Sequence, residues 1–128
     1  MRLLLDTHTF LWAVSGDPRL SQRAHEAFRE AENELYLSAI SYWEVIIKQQ
    51  IGKLPLSTDW VQRFDEEMSI NQIIWLDVRK SHCQRYGSLP MLHRDPFDRM
   101  LIAQALHERM TLLTRDENIQ QYAITTIW

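Results

Sequence analysis

Short apolar runs alternate with longer helix-compatible stretches along the chain, and this alternation restricts the fold more than any other feature. The apolar runs predict strands at residues 3–5, 35–38, 73–76, 111–114 and 124–128. Helical spacing with Gly and Pro stop signals predicts helices near 9–14, 21–31, 41–51, 57–68, 79–86, 95–109 and 118–121. Because strands separated by helices pair in parallel, the sequence predicts an α/β fold with helices on both faces of a parallel sheet of four to five strands.

The bulk properties of the chain narrow its class. At 128 residues it has the size of one domain, which we expect to span 1–128. Cys83 is the only cysteine, so no internal disulfide can form and the cytoplasm is the expected compartment. The net charge of −3 disfavours broad contact with nucleic acid, although a bound cation would offset part of it and basic residues cluster locally.

Four acidic residues follow predicted strands. Asp6 comes directly after the first strand and Asp116 two residues after the fourth, while Glu44 and Asp98 lie about one turn into helices. Ligands of open parallel sheets bind beyond the carboxyl ends of the strands, and those ends share one edge. The sequence therefore predicts that these acids converge there.

Each acid also has a local explanation. Ser41 and Glu44 fit a capping box, and Asp95, Pro96 and Asp98 fit an N-cap followed by a first helical turn. Asp6 and Asp116 could cap the helices that follow them. Capping contributes about 1 kcal/mol per helix, but it does not explain why several acids share one edge. A dication with a preference for oxygen ligands, such as magnesium, would relieve their repulsion, and both roles can coexist.

Four tracts occur in order along the chain: LLLDTH at 3–8, SAISYWE at 38–44, HRDPFDRMLIAQA at 93–105 and LTRD at 113–116. Together they resemble the PIN domain and, more narrowly, the VapC toxins of bacterial toxin–antitoxin pairs. The tract WEVIIKQQIGKL at 43–54 is similar to one branch of that family. The resemblance spans essentially the whole chain.

The resemblance implies a PIN-like α/β/α sandwich and a magnesium-dependent endoribonuclease, with manganese as an alternative metal. It implies that RNA phosphodiesters are hydrolysed by metal-activated water, and that the catalytic and metal-binding residues are Asp6, Glu44, Asp98 and Asp116. Asp95 is then the N-cap or an accessory acid. The expected partners are a small cognate antitoxin, an RNA substrate and a second copy of the chain in a homodimer.

Several residues beside the acids are candidate substrate contacts. Arg94, Arg99 and Arg115 could steer phosphates, although solvated surface charge explains each equally well. Thr7 and Thr114 could hydrogen-bond either the acids or a phosphate.

Other interpretations of the acids are weaker. A haloacid dehalogenase-type phosphatase needs a second acid where this chain has His8. A receiver-like signalling domain needs an acidic pair at Asp6 and a lysine after the last strand, and both are missing. A catalytically inactive PIN-like binding module is the remaining alternative, and the intact acid set argues against it.

Overall fold

Five parallel strands form the centre of the computed structural model, which describes Met1–Trp128. The strands are β1 (Arg2–Leu5), β2 (Glu34–Ser38), β3 (Ile74–Leu76), β4 (Thr111–Leu113) and β5 (Thr126–Ile127). Their order in the sheet is β3-β2-β1-β4-β5, and every neighbouring pair is parallel. Leu3 on the middle strand aligns with Leu35 on one side and Thr111 on the other. The predicted parallel sheet is confirmed.

Seven helices connect the strands. They are α1 (Thr7–Ser15), α2 (Gln22–Arg29), α3 (Ala39–Gln50), α4 (Trp60–Ile70), α5 (Lys80–Gly87), α6 (Pro96–Glu108) and α7 (Glu117–Gln120). Five of them begin at a residue whose side-chain oxygen accepts a backbone N–H: Asp6, Ser21, Ser38, Asp95 and Asp116. Such caps satisfy amides that have no partner inside the helix. None of the helices has both the length and the apolar character needed to cross a bilayer.

Separate apolar cores pack against the two faces of the sheet. On β1, Leu4 joins one core, while Leu3 and Leu5 join the other, as expected for alternating side chains on a strand. The Leu4 core is filled mainly from α6, and the opposite core by α1, α2 and α4. Helix α3 contributes Ile40 to the first core and Val45 to the second. The helices therefore hold the sheet from both sides, and its carboxyl edge is left for a site.

The alternative in which Ser41 caps the third helix is wrong. Helix α3 starts at Ala39, because Ser38 at the end of β2 already accepts the Ile40 N–H through its side-chain oxygen, at 3.0 Å. Ser41 and Glu44 consequently lie inside the helix. This placement frees the Glu44 carboxylate from capping, so that it can meet residues of other elements.

Candidate metal centre and active site

Asp6 occupies the carboxyl end of the middle strand and is 8% exposed. One carboxylate oxygen, Oδ1, accepts the His8 N–H at 3.3 Å and caps α1. The other, Oδ2, accepts the hydroxyl of Thr114, which lies just beyond the adjacent strand β4, at 2.6 Å. Burial raises the pKa of Asp6, the Thr114 hydroxyl opposes that rise, and the nearby Glu44 charge adds to it. The fold thus holds a carboxylate where it is costly to charge without a cation.

Glu44 reaches the same edge from α3 and is 4% exposed. The Thr7 hydroxyl lies 2.7 Å from Glu44 Oε1 and 2.8 Å from the Ser41 hydroxyl. Lys48, one turn further along α3, pairs with Glu44 Oε2. Burial lowers the pKa of Lys48, but the hydrogen bond and charge of Glu44 outweigh that effect, so the net shift is upward. Both oxygens of Glu44 therefore have donors within the protein.

Asp95 and Asp98 make different hydrogen bonds at the start of α6. Asp95 Oδ1 accepts the N–H groups of Phe97 and Asp98, at 2.9 Å and 3.2 Å, and so caps the helix. Asp98 Oδ2 lies 3.2 Å from the His93 imidazole, and no hydrogen bond engages Oδ1. The predicted cap at Asp95 is confirmed, and Oδ1 of Asp98 is left without a hydrogen bond.

The pKa of Asp98 records how closely the acids converge. Burial raises this pKa from 3.8, and the charges of four neighbouring carboxylates raise it further, to about 8. In decreasing order of effect, those neighbours are Asp95, Asp116, Asp6 and Glu44. Acids that are 92 residues apart in sequence, from Asp6 to Asp98, therefore repel one another through space.

Asp116 completes the set from the segment after β4. Its Oδ1 accepts the Asn118 N–H at 2.8 Å and caps α7, and its own N–H donates to the Thr114 hydroxyl at 3.0 Å. Thr114 is fully buried and so connects Asp116 with Asp6. The two predicted caps, Asp6 and Asp116, are confirmed and are linked by one hydroxyl.

The donor chemistry of this edge fits a hard divalent cation held partly through water. At no place in the chain do three or more His, Cys, Asp or Glu side chains lie close enough together to grip an ion directly. Magnesium ordinarily binds one or two carboxylates and keeps several waters, so it does not require such a cage. The carboxylate oxygens here, the burial of Asp6 and the mutual repulsion recorded at Asp98 match that mode.

The three candidate arginines have different surroundings. Arg94 and Arg115 are exposed, and the Arg115 guanidinium lies 4.5 Å above the Trp12 ring. Arg99 is 3% exposed, and its Nη1 donates to the Pro90 carbonyl and the Tyr122 hydroxyl, both at 2.8 Å. The expectation that Arg99 steers phosphate does not fit this burial, because its guanidinium donates to groups inside the fold and is not available to a substrate.

Thr7 and Thr114 bond the acids rather than presenting free hydroxyls. Both are buried, and each donates to a carboxylate. Of the two uses considered for them from sequence, this placement matches the first.

Sequence reasoning missed three residues next to the acids. Lys48 follows Glu44 by four positions, a spacing that often forms ion pairs on a helix and could have been noticed. His93 stands five residues before Asp98 in an irregular segment, and Tyr122 follows α7. No local pattern assigns a role at the site to either of them, because only the folded chain brings them to Asp98.

A comparison with protein families agrees with the fold. The sequence model of the PIN domain matches residues 3–124, and the chain belongs to the PIN domain family. Within that family its likeness is to VapC-type toxins, as the four tracts predicted. Ribonuclease VapC22 of Mycobacterium tuberculosis (strain ATCC 25618 / H37Rv) is 25% identical over an alignment of 141 residues, and the alignment covers 98% of this chain and 98% of that protein.

Solved structures support the same fold. The crystal structure of VapBC2 from Rickettsia felis, bound to a DNA fragment from its promoter, superposes with a TM-score of 0.76 at 17% identity and covers 99% of this chain and 98% of that one. VapBC-1 from nontypeable Haemophilus influenzae gives a TM-score of 0.67 at 19% identity, covering 99% and 97%. The PIN-like α/β/α sandwich is thereby confirmed.

Proposed function

We propose that this chain is a magnesium-dependent endoribonuclease that acts as the toxin of a toxin–antitoxin pair. The observation that carries the proposal is the placement of Asp6, Glu44, Asp98 and Asp116 at the carboxyl edge, where burial and the neighbouring charges raise the pKa of Asp98. Such crowding is costly to the fold and is relieved by a dication. The name of the related Mycobacterium tuberculosis protein, a ribonuclease, supports RNA as the substrate.

The acids would have different roles in binding magnesium, or manganese in its place. Asp6 and Asp98 would be the main ligands, because each is fixed through Oδ2, by Thr114 and by His93. Asp116 would complete the shell. When bound, the cation lowers the pKa of water and stabilises charge on the scissile phosphate.

The remaining polar groups would act on the nucleophile and the substrate. Glu44, held by Thr7 and Lys48, would orient the attacking water. Arg94 and Arg115 are exposed and would attract the phosphates of the RNA strand. Hydrolysis adds one water across the phosphodiester, with the leaving oxygen released as a hydroxyl.

An RNA cleavage assay tests the activity. The purified chain is incubated with single-stranded RNA and magnesium, beside Asp6→Asn and a control, Asp65→Asn, which changes an exposed aspartate on α4. We expect Asp6→Asn and a chelator each to abolish cleavage, while Asp65→Asn cleaves normally. Cleavage that survives either treatment refutes the mechanism. Calorimetric metal binding without cleavage would instead identify an inactive PIN-like binding module.

A groove on the α1 side is the proposed antitoxin site. It has a volume of about 550 Å³ between α1, α4 and the segment that precedes α4. Phe10, Leu54 and Trp60 are among its apolar lining residues, and Lys53 and Arg63 on its rim form no ion pair. A segment with apolar side chains and acidic flanks would complement it. A similar solved structure from Klebsiella pneumoniae is described as a toxin–antitoxin complex, which supports a protein partner for this chain.

Co-purification with the product of the adjacent reading frame tests this partner. Leu54→Glu places a charge in the groove and should abolish co-purification, whereas Val61→Glu, at a position already 45% exposed, should not. Equal recovery with both variants contradicts the assignment of the groove. The expected homodimer stays a prediction, and sedimentation equilibrium of the isolated chain tests it.

A further inference from the structure

His93 connects the candidate centre to a buried tyrosine. Its Nε2 lies 3.2 Å from Asp98 Oδ2, and its Nδ1 lies 2.8 Å from the Tyr122 hydroxyl. The His93 side chain is 11% exposed, and its ring meets the Tyr122 ring at a centroid distance of 5.4 Å. The imidazole is therefore fixed on both sides.

The Tyr122 hydroxyl determines which nitrogen of His93 carries the hydrogen. It accepts Arg99 Nη1 at 2.8 Å and the backbone N–H of His93 at 3.3 Å. A hydroxyl has two acceptor lone pairs and one hydrogen to donate. With both lone pairs in use, the hydrogen points to His93 Nδ1, which must accept. The ring hydrogen then lies on Nε2, which donates to Asp98 Oδ2.

Arg99 makes this arrangement part of the fold. The same Nη1 that donates to Tyr122 also donates to the Pro90 carbonyl, and the guanidinium lies 4.9 Å above the Tyr86 ring. Helix α6 is thereby tied to the segment before it and to the segment after α7. The donor aimed at Asp98 is consequently positioned by buried groups rather than by solvent.

We infer that His93 is a positioning residue: it holds Asp98 Oδ2 and leaves Asp98 Oδ1 free to face a divalent cation. The inference rests on the metal-dependent function proposed above. Hydrogen-bond partners that orient metal ligands typically change metal affinity about 10–100-fold.

Titration of the purified full chain with manganese, followed by calorimetry, tests the inference without any RNA. His93→Leu removes the donor, and we expect the manganese Kd to rise about 10-fold or more. His93→Gln keeps an N–H near the place of Nε2, so it should restore Kd to within about 3-fold of the unmodified chain. Tyr122→Phe keeps the ring but releases the imidazole, and its Kd should also rise. His25→Leu, at an exposed position on α2, is the matched control.

Thermal melting in chelator separates positioning from stability. If His93→Leu melts earlier but binds manganese like His25→Leu, then His93 is merely structural and the inference fails. If His93→Leu does not fold, an unchanged Kd in Tyr122→Phe overturns the inference, and a raised Kd there with rescue by His93→Gln supports it. If the unmodified chain binds no manganese, the proposed function itself is overturned. If the unmodified chain binds manganese and the His93 and Tyr122 variants bind it equally well, only the inference about His93 is overturned.

Discussion

Replacing Asp98 with asparagine should stabilise the metal-free protein at the expense of metal binding. Burial and the adjacent carboxylates raise the pKa of the Asp98 carboxyl to about 8, from 3.8 when unperturbed. An asparagine side chain is not charged at any pH, and its oxygen can still accept from His93. The substitution therefore removes the repulsion while keeping the shape of the side chain.

The size and sign of the effect follow from proton linkage. Between pH 3.8 and 8 the unfolded chain has released the Asp98 proton and the folded chain retains it, so stability falls by about 1.4 kcal/mol per pH unit. Over the whole interval from pH 3.8 to 8, the free energy of unfolding falls by about 5–6 kcal/mol. The side chain keeps 14% exposure, and solvent screening reduces this to about 2–3 kcal/mol. For a chain of this length, that is about 7–11 °C in melting temperature.

Thermal denaturation in chelator, monitored by circular dichroism at pH 4, 6 and 8, measures the effect. The advantage of Asp98→Asn over the unmodified chain should be small at pH 4 and grow toward pH 8. Added magnesium should raise the melting temperature of the unmodified chain and leave that of Asp98→Asn almost unchanged. An advantage that is absent at pH 8, or constant across the three pH values, would refute the idea that these acids repel one another.

Three further substitutions test how the fold supports the centre. Phe10→Ala empties a site that is 1% exposed against Phe64 and should cost about 3–5 kcal/mol in urea unfolding; a loss below about 1 kcal/mol would contradict the packing. Thr114→Val leaves the Asp6 carboxylate and the Asp116 N–H without their hydroxyl and should cost about 1–3 kcal/mol by the same measurement, and a stability equal to that of the unmodified chain would argue against the bond. Arg99→Met should also cost about 1–3 kcal/mol, whereas Arg94→Met should not; equal effects would show that the Arg99 bonds contribute nothing.

Periodicity and capping rules predicted most of the fold because those signals are local. The runs at 3–5 and 111–114 mark strands that are buried on both faces, and such strands read as continuous apolar segments. Asp95 followed by Pro96 marks the start of α6 to the residue. The prediction that Ser41 caps α3 was wrong because Ser38, three residues earlier, is an equally good cap. Local chemistry could not choose between two serines, and the end of β2 decided it.

The candidate site was predictable only in part. The strand-end rule gave the positions of the acids, because it depends on topology alone. It could not show that Arg99 is buried beneath Tyr122, since an arginine beside acids looks like a surface charge in sequence. It also gave no indication that Cys83 is exposed. These features depend on which face of a helix meets the sheet.

The hydrogen bond between Thr114 and Asp6 joins residues that are 108 positions apart, and this separation has a consequence for synthesis. The middle strand is synthesised well before one of its two neighbours, β4. At roughly 5–20 residues per second, Asp6 waits about 5–20 s for its partner hydroxyl. A nascent chain that has not yet reached Thr114 therefore cannot assemble the acidic edge. Any activity that depends on this edge begins only after Thr114 has been synthesised.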